Sequence, residues 1–315
     1  MAYRLSMDDR PGLSLRACAI EQIEQAAEHL EQARRHEEDS VEAIHGARKA
    51  LKRTRSALRL VATGPGRGVA RREDVGLRDC ARALSGTRDA DVMAATVEAL
   101  AERYTGQMAA GAFTAVREQL AVRGAGVRAG LEPLVLAEAQ TLGSVAESLA
   151  QWPVEDVTWK HVLSGVERSY ARGRKGFARA RRSPTVEDLH DWRKRVKDLD
   201  FQQRLLHDAW PQVLSAHARE AHRLSELLGE DHDLAVLGTL LVVEHGPAQR
   251  VAADTQPLLD VIARRRADLQ GRARVLGGRV YADPPPDFAG RLRRLVRVAR
   301  RQVGEERGAT GGVPA

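Results

Sequence analysis

The chain has 315 residues, 43% of them hydrophobic and 30% charged, and its 50 lysines and arginines against 43 aspartates and glutamates leave a formal net charge of +7. That balance fits a globular protein with domain-sized cores and excludes a low-complexity or wholly disordered chain. The opening stretch MAYRLSMDDR lacks the apolar run of a signal peptide, and the longest apolar run, Leu234 to Val243, is too short to span a bilayer, so a cytoplasmic protein without membrane insertion is expected.

Apolar residues recur three and four apart from Ile20, Ile23, Ala27 and Leu30 onward to Leu292, Leu295, Val296, Ala299 and Val303, with no sustained two-residue alternation. The expected fold class is all-α. The first helix is acidic, carrying Glu21, Glu24, Glu28 and Glu31, and a break at Glu37 to Ser40 precedes a second helix that is basic. No acid occurs between Glu42 and Glu73, a window holding Arg48, Lys49, Lys52, Arg53, Arg55, Arg59, Arg67, Arg71 and Arg72. Asp39 and Glu42 have the spacing of a capping box at the start of this helix. Further breaks are expected at Thr63 to Gly68, Ser85 to Asp89, Thr105-Gly106, Gly124 to Gly126 and Trp152 to Asp156. The last of these divides the chain into residues 1–153 and 154–306, with 307–315 expected as a disordered tail.

The second part opens on a helix rich in Arg172, Arg174, Lys175, Arg179, Arg181 and Arg182, and Ser183-Pro184 is expected to start the next. Breaks then fall at Gly229 to Asp233, Gly246-Pro247 and Ala282 to Asp287, giving four to five helices per half. Short connections favour an up-and-down bundle in each. The final basic run, Arg291 to Arg301, reads as a solvated helix face. Cys18 and Cys80, without metal-ligand spacing, read as small core residues.

One motif appears twice, His-x-x-Arg-Lys-x-x-Lys, as His45, Arg48, Lys49, Lys52 and 145 residues later as His190, Arg193, Lys194, Lys197. The same offset pairs Glu42 with Glu187, Arg59 with Arg204 and Arg78 with Arg223, and a one-residue slip pairs Arg88-Asp89 with His232-Asp233. The chain therefore reads as two homologous halves. On a wheel of about 100° per residue, His45, Arg48, Lys49, Lys52, Arg55 and Arg59 share roughly one third of the circumference, beside the apolar arc of Ile44, Ala47, Leu51 and Leu58. Such a cationic ladder suits a ligand carrying many negative charges along its length. Glu42-x-x-His45 and Glu187-x-x-His190 also have the spacing of di-metal helical-bundle enzymes, but they lie in different halves among cations that would repel a metal.

Taken together, EAIHGARKALKRTRSALRL (Glu42 to Leu60), RALSGTRDADV (Arg82 to Val92), YARGRKGFARA (Tyr170 to Ala180), DLHDWRKRVKDLDFQQRLL (Asp188 to Leu206) and LLGEDHDLAVL (Leu227 to Leu237) resemble the CHAD domain family over nearly the whole chain. The resemblance implies two tandem four-helix bundles related by a pseudo-twofold repeat, with a basic surface that binds inorganic polyphosphate. It also implies polyphosphate or polyhydroxyalkanoate granules, or a separate CYTH-type phosphohydrolase, as partners. Asp200 departs from the family pattern by standing where Arg55 stands in the first copy, and Phe201 replaces a common tyrosine. The second ladder is therefore expected to bind more weakly than the first, which Arg55 and Arg59 extend.

No glycine-rich phosphate loop, Mg²⁺-binding carboxylate cluster or nucleophile elbow is present, so an enzyme is not expected and no cofactor is implied. Nonspecific duplex nucleic-acid binding is the rival, although aromatics total only 4% and none interleaves with the first ladder. The expected polyphosphate contacts are His45, Arg48, Lys49, Lys52, Arg55, Arg59, Arg78 and Arg88 in the first half. In the second half they are Arg174, Lys175, His190, Arg193, Lys194, Lys197, Arg204, Arg223 and His232.

Overall fold

Three helices begin on a proline, Pro11, Pro211 and Pro285, at the position where a missing backbone N–H costs nothing and a fixed φ favours the first turn. The computed structural model describes residues 3–8, 10–35, 40–104, 113–114, 116–118, 120–122, 130–182, 184–243 and 256–310, with the side chains of 87–91, 243 and 307–310 left aside. Its long helices are α1 (Pro11–Arg35), α2 (Ser40–Leu60), α3 (Arg67–Ala83), α4 (Gly86–Arg103), α5 (Leu131–Ala150), α6 (Trp159–Arg182), α7 (Val186–Leu205), α8 (Pro211–Val243), α9 (Gln256–Val280) and α10 (Pro285–Thr310). A single 3₁₀ turn, His207–Ala209, separates α7 from α8. No strand occurs among the described residues, and none of the helices is long and apolar enough to cross a membrane.

Helix α2 lies between α1 and α3, and α5 closes against both of them. Alanines at 43, 47, 50 and 57 line its buried side and let neighbouring backbones approach closely, while Ile44, Leu51 and Leu58 fill the space between. Helix α7 lies between α6 and α8, α9 packs on α8, and α10 runs along α6. Here the core is aromatic. Fully buried Trp192 sits 5.2 Å from the Phe177 ring and fills the room left by Gly277, where a Cβ would approach its Cζ2 to 2.6 Å. The halves join where α2 touches α6 and α7 and where α4 reaches α8. At the α2–α7 crossing Ser56 Oγ donates to the Asp198 carbonyl at 3.3 Å and Gln202 Nε2 to the Ser56 carbonyl at 3.4 Å.

Gly165 of α6 presses on the last turn of α2, and a Cβ there would overlap the Leu60 carbonyl oxygen. Because backbone is the obstacle, Gly165→Ala is expected to destabilise the protein by about 2 to 3 kcal/mol through overpacking. Gly143 and Gly271 are helical with open space around them, so alanine at either should stabilise by about 0.5 to 1 kcal/mol. Urea denaturation of the three variants checks both signs.

Residues 3–8 form a strap from the first half to the second. Buried Leu5 donates its N–H to the Leu205 carbonyl at 2.7 Å, Tyr3 hydroxyl donates to the Arg53 carbonyl at 2.8 Å, and Trp159 Nε1 donates to the Asp8 carbonyl at 2.9 Å.

Three local expectations are corrected or displaced. Gly229 to Asp233 lies inside α8 rather than at a break, because Leu227, Leu228, Asp231 and Leu234 are buried and their packing outweighs the low helix propensity of one glycine. Helix α7 is capped by Thr185, whose hydroxyl accepts the Asp188 N–H at 3.0 Å, and not opened by Ser183-Pro184. Helix α10 continues to Thr310, past the expected tail boundary at 306, and residues 311–315 lie outside the described residues, as do Asp39 and Ser183. Cys18 and Cys80 are buried, and burial pushes both thiols up, against reactivity.

Candidate functional site

The heptad-like spacing of the first motif places its members along one side of α2. Half-buried Arg48 turns toward the end of α3, where its Nη1 donates to the carbonyls of Leu84 and Ser85, each at 3.3 Å. Arg48 thus ties α2 to the corner between α3 and α4 as well as standing as a ladder rung. Lys49 is exposed on the other edge, and His45 and Lys52 are half-buried between them. Lys49, His45 and Arg53 line a polar cavity of about 600 Å³ between α1 and α2, with Gln25, His29, Gln32 and Glu42. Gly46 at its floor leaves room for the His29 ring, whose Nε2 a Cβ would approach to 2.5 Å. His29 did not stand out in the sequence and Arg53 only as a member of the basic window, and Gly46 inside a helix is the signal that could have marked the close approach.

The arginine of the second motif also turns toward a neighbouring helix. Arg193 lies against Gly229 of α8, whose absent Cβ would stand 2.8 Å from its Nη2, and Gly229 is 145 residues from Leu84, the distance that separates the motifs. His190 stacks on His232 with ring centroids 4.3 Å apart and planes 28° from parallel. Its Nδ1 is buried without a hydrogen-bond partner among the described residues. Burial, and then the neighbouring His232, Lys194 and Arg193, lower the His190 pKa to about 4. Lys194 is exposed and reaches Asp191 at 3.1 Å, and Lys197 is half-buried.

The low His190 pKa carries a signed prediction. Unfolded histidine takes up a proton near pH 6.5 and the folded ring does so only near pH 4, so folding stability should fall as pH drops through that window. Burial likewise lowers the pKa of His217, which adds in the same direction. Urea denaturation at about pH 7, 5.5 and 4.5 should show a shallower fall for His190→Gln than for the parent protein.

The outer rungs serve the fold. Arg55 Nε binds Asp74 at 2.9 Å, and Arg59 binds Asp74 at 3.1 Å and Asp198 at 2.7 Å, with both arginine side chains less than one fifth exposed. Arg195 completes the group by holding the other Asp198 oxygen at 3.0 Å. In the second half Asp200 is buried and bonded to Arg204 at 2.7 Å and His222 Nδ1 at 3.1 Å. It therefore points into a helix junction and not along the ladder. The partners Asp74, Asp198, Arg195 and His222 carry no sequence signal linking them to the motif, because contacts such as Arg59 with Asp198 span 139 residues.

The remaining expected contacts are dispersed. Arg78 is exposed and paired with Asp79 at 3.0 Å; Arg174 is exposed and donates to the Tyr281 carbonyl at 3.3 Å; Lys175 is exposed. Arg223 lies in a separate groove of about 450 Å³ between α8 and α9, with Asp268, Arg272 and Arg279. The Arg88 side chain lies outside the described residues. No three His, Cys, Asp or Glu side chains come together as metal ligands among the described residues, and the two Glu-x-x-His pairs sit on different helices, α2 and α7.

These features define an all-helical protein with two basic motif helices, the arginine of one bonded at the corner after α3 and that of the other lying against Gly229 of α8. The chain belongs to the CHAD domain family, whose model matches residues 17–242. The match runs from within α1 to the end of α8, so the strap, α9 and α10 lie outside it. No curated protein matches the chain.

Proposed function

We propose that this protein is a non-catalytic binder of inorganic polyphosphate, built as two four-helix bundles related by a pseudo-twofold repeat. One observation carries the reading. The arginine of each motif is seated at positions 145 residues apart, Leu84 and Gly229, so that both motifs hold their lysines alike, with Lys49 and Lys194 exposed and Lys52 and Lys197 half-buried. Lys52 lies one helical turn before Ser56 and Lys197 directly precedes Asp198, so both ladders reach the α2–α7 crossing, which gives a flexible polyanion two cationic tracks leading to one place. Family membership supports phosphate as the repeated anion. His190 acts as a hydrogen-bonding and orienting group in this reading, since its ring, held near pKa 4, is neutral at physiological pH, and His45 and His232 take the same orienting role beside the motifs.

The reading extends to a cytoplasmic protein, associated with polyphosphate or polyhydroxyalkanoate granules and working beside a separate CYTH-type phosphohydrolase. A competition series at fixed ionic strength tests the core of it, with long-chain polyphosphate, duplex DNA, single-stranded RNA and ATP as competitors. Polyphosphate should displace the probe at concentrations at least tenfold lower than the others, with affinity falling steeply as salt rises. Duplex DNA in first place would replace polyphosphate with nucleic acid as the ligand.

A further inference from the structure

The family match ends with α8, and α9, which lies beyond it, packs mainly on that helix. Toward its start α9 is pinned. Arg265 binds both oxygens of Glu230, at 2.6 and 2.9 Å, and buried Asp231 receives Arg266 at 3.1 Å and Gln270 at 2.9 Å. These bonds make the two helices the fixed walls of the groove of about 450 Å³ that contains Arg223.

That groove has an apolar floor and a cationic rim. Leu227 and Leu276 line it, Val275 is 64% exposed, and Gly271 has open space where a side chain would project. Covering such a surface gains hydrophobic energy. Arg223, Arg272 and Arg279 stand against a single lining acid, Asp268, which already holds Arg265 at 2.8 Å and Arg272 at 3.6 Å. An occupant that complements both parts is apolar toward the floor and acidic at its sides. An inorganic polyanion supplies the charge and nothing for the floor. Both walls are helices whose backbone groups bond within themselves, so an extended chain finds no strand edge to pair with, whereas a helix arrives with its own backbone satisfied. The lining stretch of α9, residues 267–279, is about 18 Å long, which suits some three turns of a partner helix.

We propose that the groove between α8 and α9 docks an acidic amphipathic helix of a partner protein. The apolar side of that helix lies over Gly271 and Val275, and its acids meet Arg223, Arg272 and Arg279 at the rim. Neither the floor nor these arginines belong to the duplicated motifs, and the docking requires no polyphosphate, so it stands or falls apart from the proposed function.

The test is fluorescence anisotropy of the full chain with a labelled, designed peptide of about four helical turns, leucines along one side and glutamates flanking them. A scrambled peptide of the same composition is the reference. The amphipathic probe should bind at least tenfold more tightly than the scrambled one. Gly271→Leu, which fills the groove and leaves every charge in place, should weaken the probe at least tenfold. Val275→Glu, at an exposed position, should do the same by setting a like charge against the probe, with circular dichroism checking that both variants fold. Arg272→Gln/Arg279→Gln should weaken binding and flatten its salt dependence, whereas Lys49→Gln/Lys52→Gln should bind the probe as the parent does. Equal binding of the two peptides, no binding of either, or undiminished binding in both Gly271→Leu and Val275→Glu disproves the docking site. A loss of long-chain polyphosphate binding in Gly271→Leu assigns the groove to the inorganic polyanion and overturns the proposal. Sedimentation velocity of the parent without peptide reads the remaining occupant: a dimer that Val275→Glu dissociates gives the groove to a second copy of the chain and overturns the proposal, while a monomer leaves it to a partner.

Discussion

Asp198→Ala is expected to destabilise the protein by about 3 to 5 kcal/mol, the range for removing one member of a buried ion pair. The carboxylate is 3% exposed and each of its oxygens receives a guanidinium, Arg59 at 2.7 Å from α2 and Arg195 at 3.0 Å from its own helix. Removing it leaves Arg59 and Arg195 facing each other, with Arg172 and Arg168 nearby, so desolvation and repulsion act together. Urea denaturation reads the loss directly, and Asp79→Ala is the control, since Asp79 pairs with Arg78 at the surface and its removal should leave the midpoint unchanged. An Asp198→Ala midpoint equal to that of the control would show that the seam is held by apolar packing alone.

Changing Lys49, Lys52, Lys194 and Lys197 together to glutamine should weaken polyphosphate binding about 100-fold at low salt, taking roughly 0.7 kcal/mol for each largely solvated cation. The salt dependence should become shallower at the same time, because fewer counterions are released. Helicity should survive, since glutamine is a good helix former. The two halves should then be compared as Lys49/Lys52 and Lys194/Lys197 pairs. The ladder asymmetry expected from sequence rests on Arg55 and Arg59 extending the first copy, and both are engaged by Asp74 and Asp198. Near-equal losses from the two pairs are therefore expected, with the second slightly smaller because Asp191 already neutralises part of Lys194. A quadruple variant that binds as the parent does would remove the ladders from the site.

The helices and their order were legible because three-and-four spacing is a local property, and the duplicated motif is visible at a fixed offset without any structure. The direction of each motif side chain was also largely legible from the wheel: Lys49 and Lys194 are exposed, as a stripe bordering the core requires. What could not be read is where the arginines end. A guanidinium reaches far enough to choose between solvent, a helix-end carbonyl and a carboxylate brought in from another helix, and the choices of Arg48, Arg59 and Arg204 depend on tertiary neighbours. Gly229 shows the same limit from the backbone side. It has the local character of a breaker, yet inside α8 its missing side chain makes room for Arg193.

The strap of residues 3–8 sets an order of events during synthesis. Leu5 is seated by the carbonyl of Leu205 and Tyr3 packs edge-on to Phe201 at 6.4 Å, so residues 3–8 wait for a segment some 200 residues behind them. At about 5 to 20 residues per second, that segment leaves the ribosome roughly 10 to 40 s later. Throughout that interval the first half has Leu5 without the Leu205 carbonyl and α2 without its α7 neighbour, so a nascent chain paused between the halves is the form most open to chaperones and proteases.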